Sequence, residues 1–325
     1  MITLNSIFRS NMIFQAGLPV RFFGSGEGIV KITLDGVTKE ASSNGDWLIE
    51  FEPFEYGGPY DITVMLNDIH FTLRSVYFGD VYILGGQSNM QFKLKESSEK
   101  VENYKGNENV RLYTVDRMEE GEYFSSVDGW VELTEENAGN FSAIGYYVAT
   151  HLATPNRKIG LIACYQGASV IQSWIPKEIA LEPRFKIENR FCDHEWFPIW
   201  NDDGVLYENM IEKIIPFSCS AVLWYQGESN ASNNEADIYL EFLKALIYSW
   251  RSSFKNDFLR FIVIQLADHL DRQGYAWETI QKEQLRAQDE IPFVSTVICR
   301  DVCDNVDIHP KEKDVLSERI VALLK

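Results

Sequence analysis

The sequence predicts an α/β protein in which a mostly parallel sheet, covered by helices on both faces, follows a small antiparallel β unit. Two patterns predict this. Up to about residue 77, short runs rich in β-branched and aromatic residues (20–23, 29–34, 47–51 and 60–66) are broken by Gly24-Ser25-Gly26, Asp35-Gly36, Asn44-Gly45-Asp46 and Gly57-Gly58-Pro59, with no helical period between them. From Gly79-Asp80 onward, apolar runs of buried-strand length at 81–84, 158–164, 221–225, 259–266 and 293–298 alternate with helix-like segments at 144–152, 236–254, 277–288 and 311–324. The expected division is therefore an N-terminal β domain over 1–77 and a chemistry-bearing domain over 78–325. The 325 residues suit one large or two modest domains. In a sheet of this kind functional residues collect at the carboxyl ends of the strands.

Composition narrows the function. With 45% hydrophobic and 24% charged residues the chain can bury a large core. Thirty Lys and Arg against 48 Asp and Glu leave a charge of −18, a field that repels phosphate backbones and anionic headgroups, so neither nucleic acid nor membrane is an expected partner. No stretch approaches the roughly 18 apolar residues of a membrane span, and the start of the chain lacks a basic segment followed by an apolar one, so the expected location is cytoplasmic. Five scattered cysteines (Cys164, Cys192, Cys219, Cys299, Cys303) read as reduced thiols rather than a disulfide framework or a zinc site. Neither metal nor organic cofactor is expected.

Four turns, each following an apolar run, carry groups suited to acyl transfer. Gly85-Gly86-Gln87-Ser88-Asn89-Met90 places a serine among small residues, where its hydroxyl can attack and its N–H can meet a carbonyl oxygen; a serine there is otherwise a helix cap. Gln166-Gly167-Ala168-Ser169 offers a backbone N–H at Gly167. Gln226-Gly227-Glu228-Ser229-Asn230 offers an amide for a developing oxyanion and a carboxylate to steady an imidazolium. Asp307-Ile308-His309-Pro310 supplies the base that a serine hydroxyl needs at neutral pH, with His269 the competing histidine. Gln87, Asn89, Gln172 and Trp174 are the expected substrate contacts. Residues 176–209, aromatic and aperiodic, with Phe185, Phe191, Trp196, Phe197 and Trp200, read as an insertion packed on its own domain, or alternatively as a wall that stacks on sugar rings.

Gly86-Gln-Ser-Asn-Met, Trp224-Tyr-Gln-Gly-Glu-Ser-Asn and Asp307-Ile-His-Pro resemble the signature blocks of the sialate O-acetylesterase and acetylxylan esterase-like branch of the SGNH hydrolases. Phe8-Arg-Ser-Asn-Met-Ile-Phe-Gln, Gly45-Asp-Trp, Gly57-Gly-Pro-Tyr, Trp250-Arg251 and Gln265-Leu-Ala extend the resemblance over nearly the whole chain. It implies an SGNH-hydrolase-like three-layer α/β/α domain with Ser88 as nucleophile and His309 as base. It also implies an oxyanion hole from Ser88 N–H, Gly167 N–H and the Gln226 side chain. SGNH enzymes place an aspartate three residues before the histidine, where this chain has Val306. The aspartate here is Asp307, two before, and the resemblance to related carbohydrate esterases, which use the Glu of the Gln-Gly-Glu block, implies Glu228 as the main orienting carboxylate with Asp307 as helper or substitute, so that Glu228→Gln impairs turnover more than Asp307→Asn. The chain also has Gly167-Ala168 where the family commonly has Gly-Gly.

The expected activity is removal of acetyl groups from acetylated mono- or oligosaccharides, of sialic acid or xylo-oligosaccharide type. The −18 charge favours a neutral acetylated sugar over an anionic sialoside. A general arylesterase or thioesterase uses the same machinery and differs in acyl-length preference. A non-catalytic carbohydrate-binding protein predicts sugar binding without acetate release. A metallohydrolase on Asp301, Asp304, Asp307 and His309 predicts loss of activity to a chelator.

Overall fold

A long hairpin replaces the expected series of short N-terminal strands. The computed structural model describes residues 1–97, 100–118, 129–188, 190, 199–301, 303 and 305–325. Within these, β1 (Thr3–Leu4) and β2 (Ile13–Gln15) precede two 15-residue strands, β3 (Val20–Leu34) and β4 (Val37–Phe51), paired antiparallel along their length. Gly24-Ser25-Gly26 and Asn44-Gly45-Asp46, read as turns, lie inside this ladder with Gly26 opposite Gly45. Close approach, not reversal, is what Gly24 and Gly26 provide. A Cβ on Gly24 would stand 2.0 Å from the Thr3 carbonyl oxygen and one on Gly26 2.1 Å from that of Met1, so the glycines let β1 lie along β3. Asp35-Gly36 does reverse the chain, as a two-residue loop with both residues at positive φ.

β5 (Gly57–Leu66) pairs with β6 (Ile69–Gly86), and β6 belongs to both halves of the molecule. Its residues 69–78 pair with β5, while residues 80–86 pair with the parallel sheet. The division expected after residue 77 thus falls within one continuous strand. Phe217 joins the halves further by stacking on Phe14, with ring centroids 5.4 Å apart. The Trp130 indole donates to the Ile7 carbonyl at 2.8 Å.

The remaining strands are β7 (Asn107–Thr114), β8 (Val131–Leu133), β9 (Ile159–Tyr165), β10 (Ala221–Tyr225), β11 (Arg260–Ile264) and β12 (Val294–Val297). Their order is β7-β9-β6-β10-β11-β12, all parallel, with β8 antiparallel on the β7 edge. β9 and β10 are buried throughout, the mark of a sheet covered on both faces. The helices are α1 (Ser88–Gln91), α2 (Glu135–Ala138), α3 (Ala143–Leu152), α4 (Lys177–Ala180), α5 (Asn233–Ala236), α6 (Tyr239–Ser253), α7 (Tyr275–Glu290) and α8 (Lys313–Leu324). α3 packs on α8, and α6 packs on α7. This is the expected mixed α/β architecture with a mostly parallel central sheet. Among the described residues no helix is long and apolar enough to cross a membrane.

Candidate active site

Register brings three of the four turns together. Gly86 of β6 lies opposite Tyr165 of β9 on one side and Tyr225 of β10 on the other, so the segments beginning at Gln87, Gln166 and Gln226 leave the sheet side by side. After Gly86 the backbone bends through φ +124°, and a Cβ there would sit 2.1 Å from the Tyr225 carbonyl oxygen. Glycine is required at that position. Ser88 then takes the first position of α1, behind Gln87 at the cap. Its hydroxyl does not cap the helix; Ser88 Oγ lies 2.8 Å from His309 Nε2. His309 arrives from the segment between β12 and α8, two strands away from β10. The competing His269 packs instead near Trp277, with ring centroids 6.1 Å apart.

Two backbone donors flank the serine. Among the described residues neither the Ser88 N–H nor the Gly167 N–H donates to another backbone group, and a Cβ on Gly167 would lie 4.0 Å from that of Ser88. The insertion clamps this second turn. Trp200 Nε1 donates to the Gly167 carbonyl at 3.2 Å, Asn201 Nδ2 donates to the Ala168 carbonyl at 2.9 Å, and Val170 N–H donates to Asn201 Oδ1 at 2.7 Å. The clamp accompanies an Ala168 backbone at φ +51°, a conformation that glycine adopts more readily. Phe185 packs inward on Phe242, with centroids 4.9 Å apart. Phe191, Cys192, His194, Trp196 and Phe197 of the insertion lie outside the described residues, as does Asp304.

Five expected roles change. The Gln226 amide, expected to face an oxyanion, turns inward: its Nε2 donates to Gln87 Oε1, Ser169 O and Asn230 Oδ1 at 3.1, 3.0 and 2.8 Å, and its Oε1 accepts from the Tyr239 hydroxyl at 2.8 Å. Gln87, Asn89, Gln172 and Trp174, expected to touch substrate, are each at most 3% exposed. Gln87 Oε1 also accepts from the Gly227 and Ser229 N–H groups. Gln172 bonds Glu235 and Asn230, and Trp174 donates to Ser169 Oγ. These side chains tie the turns to one another beneath the site. Leaving one such buried polar group unpaired costs about 1–3 kcal/mol, which is why they point inward to partners.

The two candidate carboxylates also separate. Glu228 is buried and accepts from Asn89 Nδ2 through Oε1; it makes no hydrogen bond to His309, which corrects the expectation that it orients the imidazole directly. Asp307 accepts from the His309 backbone N–H at 2.9 Å, and its Oδ1 stands 4.0 Å from His309 Nδ1, with its side chain about half exposed. Burial and the nearby Lys313 cation hold the His309 imidazole below the ordinary histidine range, against the opposing pull of Asp307 and Glu96. A neutral imidazole is the form that accepts a proton. Burial raises the Glu228 carboxyl, against the Asn89 hydrogen bond and the Lys313 and Arg272 charges.

A cavity of about 390 Å³ opens over Ser88 and His309, lined also by Gln91, Phe92, Lys93 and Glu96. The Phe92 ring lies nearly parallel to the imidazole, with centroids 6.1 Å apart. Gln91, Phe92, Lys93 and Glu96 carry no signal in the sequence, because each sits in an ordinary polar or aromatic context. Among the described residues no group of three or more His, Cys, Asp or Glu side chains is placed to hold a metal ion. Asp301 is engaged with Arg319 at 2.8 Å.

A parallel sheet whose strand ends present a serine hydroxyl to an imidazole has the arrangement of an α/β hydrolase. Residues 78–315 match the family described as carbohydrate esterase, sialic acid-specific acetylesterase, and the chain belongs to that family. It is a carboxylic ester hydrolase. The sialate O-acetylesterase of Homo sapiens is 27% identical over 97% of this chain and 69% of its own length. That of Rattus norvegicus is 26% identical over 94% of this chain and 69% of its own. A novel carbohydrate acetylesterase from Xanthomonas citri superposes with a TM-score of 0.83 at 25% identity, covering 99% of this chain and 74% of that one.

Proposed function

We propose that this protein is a serine carbohydrate O-acetylesterase that removes acetyl groups from acetylated sugars through an acetyl-serine intermediate. The observation that carries this reading is the 2.8 Å contact between Ser88 Oγ and His309 Nε2 at the floor of an open cavity. Ser88 Oγ bonds to the acetyl carbonyl carbon as its proton passes to His309 Nε2. The Ser88 and Gly167 N–H groups hold the oxyanion, and losing one such donor typically costs about 10²–10³ in rate. Collapse breaks the bond to the sugar oxygen, which takes the proton from His309. Water then adds to the acetyl-enzyme with His309 again as base, releasing acetate and restoring Ser88.

The substrate reading rests on charge. Among the described residues the cavity presents one cation, Lys93, and one anion, Glu96, on a chain of charge −18, a setting that favours a neutral acetylated sugar over an anionic sialoside. Acetate release from matched panels of acetylated neutral sugars and acetylated sialic acids tests it, with Ser88→Ala as control. Neutral sugars should show the higher kcat/KM, and a clear preference for sialic acids would overturn the substrate assignment.

Asp307 supports the imidazole as the nearer carboxylate, and its charge raises the His309 pKa. Asp307→Asn should therefore move the acid limb of kcat/KM to lower pH. The shift should be less than about one unit, because an exposed ion pair is worth at most about 1 kcal/mol. Glu228→Gln, which keeps an acceptor for Asn89, should leave that limb in place. A limb that moves with Glu228→Gln and not with Asp307→Asn would reverse the two roles.

A further inference from the structure

A buried lysine lies behind the serine and histidine, and no part of the acyl-transfer scheme uses it. Lys313, at the start of α8, has no solvent exposure, and its Nζ donates to Asn89 Oδ1 at 2.7 Å. The ammonium also sits over the rings of Phe92 and Tyr225, at 5.0 and 5.2 Å from their centroids. Burying a cation is costly unless it is paired or hydrogen-bonded, so such a group marks a place where its charge or its donors are needed.

The Asn89 amide shows what this one is needed for. With its oxygen held by Lys313, the Asn89 nitrogen faces the other way and donates twice, to Glu228 Oε1 and to the Ile308 carbonyl at 2.9 Å. Asn89 directly follows Ser88, and Ile308 directly precedes His309. One amide thus ties the backbone beside the nucleophile to the backbone beside the base, and the cation on one side with the carboxylate on the other allow that amide a single orientation. Flipped by half a turn, it would aim its NH₂ at the ammonium and its oxygen at the Glu228 carboxylate and the Ile308 carbonyl, replacing every attraction with a repulsion.

We infer that Lys313 is a positioning residue for the acyl-transfer pair, acting through Asn89 to hold His309 Nε2 within reach of Ser88 Oγ. The inference rests on the serine-esterase reading above. Charged and titratable groups among the described residues surround Lys313 from several elements. Glu228 and Tyr225 face Lys313 from the β10 end, Cys299 and Cys303 from the segment after β12, and Glu312 from its own chain neighbour. Around His309 stand Asp307, Glu96 and Lys313 itself. Burial pushes the Lys313 pKa down to about 8, against the pull of the two cysteines and two glutamates, so the ammonium persists through neutral pH.

The test compares Lys313→Met, Asn89→Ala and the double variant with wild type and Ser88→Ala, using p-nitrophenyl acetate across pH and circular dichroism to confirm folding. Misplacing a reacting pair by about 1 Å can cost on the order of 10²-fold. Lys313→Met should accordingly lower kcat by tens of fold to about 10²-fold while leaving KM within about threefold. Its acid limb should also move to higher pH, because the cation that depresses the His309 pKa is gone. Asn89→Ala should lose a similar factor, and the double variant should be no worse than the poorer single, because both substitutions break one relay. Wild-type kcat in folded Lys313→Met or folded Asn89→Ala, or losses that multiply in the double variant, would overturn the inference. If Lys313→Met does not fold, Asn89→Ala decides by its kcat. Activity persisting in Ser88→Ala would instead overturn the esterase mechanism on which the inference rests.

Discussion

Ser88→Ala is expected to lower kcat for acetyl ester hydrolysis by on the order of 10⁴–10⁶, the scale of losing the nucleophile of a serine hydrolase. The size follows from what remains. The two backbone N–H groups and the cavity survive the change, but the hydroxyl proposed to form the acyl-enzyme is gone, so only oxyanion stabilisation and binding are left. The fold should be indifferent to the substitution, because the hydrogen bond of Ser88 Oγ goes to His309 and not to the α1 backbone. An unchanged thermal melt together with abolished acetate release is therefore the expected pair of results. A serine-directed phosphonate should label the wild type and not the variant. Acetate release within tenfold of wild type from folded Ser88→Ala would remove Ser88 from the mechanism.

His309→Gln is expected to cost nearly as much, and combining it with Ser88→Ala should add little, because the two act as one unit. The pH dependence supplies an independent check. Burial and Lys313 lower the His309 pKa from the ordinary 6.5, so as pH rises the imidazole loses its charge, and becomes able to accept a proton, before that value is reached. Wild-type kcat/KM should rise with pH through a limb whose midpoint lies under 6.5 and stay level through neutrality. The residual rate of His309→Gln should lack that limb. A wild-type midpoint clearly above 6.5 would mean that another group controls the rise or that Asp307 and Glu96 outweigh burial.

The site was legible to the extent that it is local. Gly86-Gln87-Ser88 and Gln166-Gly167 could be found because an apolar run ending in a glycine turn is a pattern of adjacent residues, and neighbouring parallel strands bring such turns to one edge. The same locality misled elsewhere. Gly24-Ser25-Gly26 looks identical in sequence whether the chain reverses or another strand lies against it. The Asp35-Gly36 turn is legible because it needs only its own two backbone conformations. Strands β7 and β8 were not singled out, because their residues lack a clean apolar run.

Side-chain direction marks the deeper limit. Gln87, Asn89, Gln172 and Gln226 sit in the right turns, yet each is held by partners distant in sequence: Gln87 by the turn at 226–229, Asn89 by Glu228 and Lys313, Gln172 by Asn230 and Glu235. Whether a polar side chain meets substrate or neighbours depends on which groups surround it after the sheet assembles. Lys313 is the extreme case, because a lysine at a helix start reads as a surface residue until the packing of α8 encloses it. The sequence alone determined the α/β class and the turns that carry Ser88 and Gly167 at the strand ends, since these follow from short-range hydrophobic pattern and backbone requirements. Only the tertiary structure decided the inward turn of the amides, the greater closeness of Asp307 than Glu228 to the imidazole, and the buried cation behind Asn89, because burial and hydrogen-bond partnership arise between segments as far apart as Asn89 and Lys313, which are separated by 224 residues in the chain.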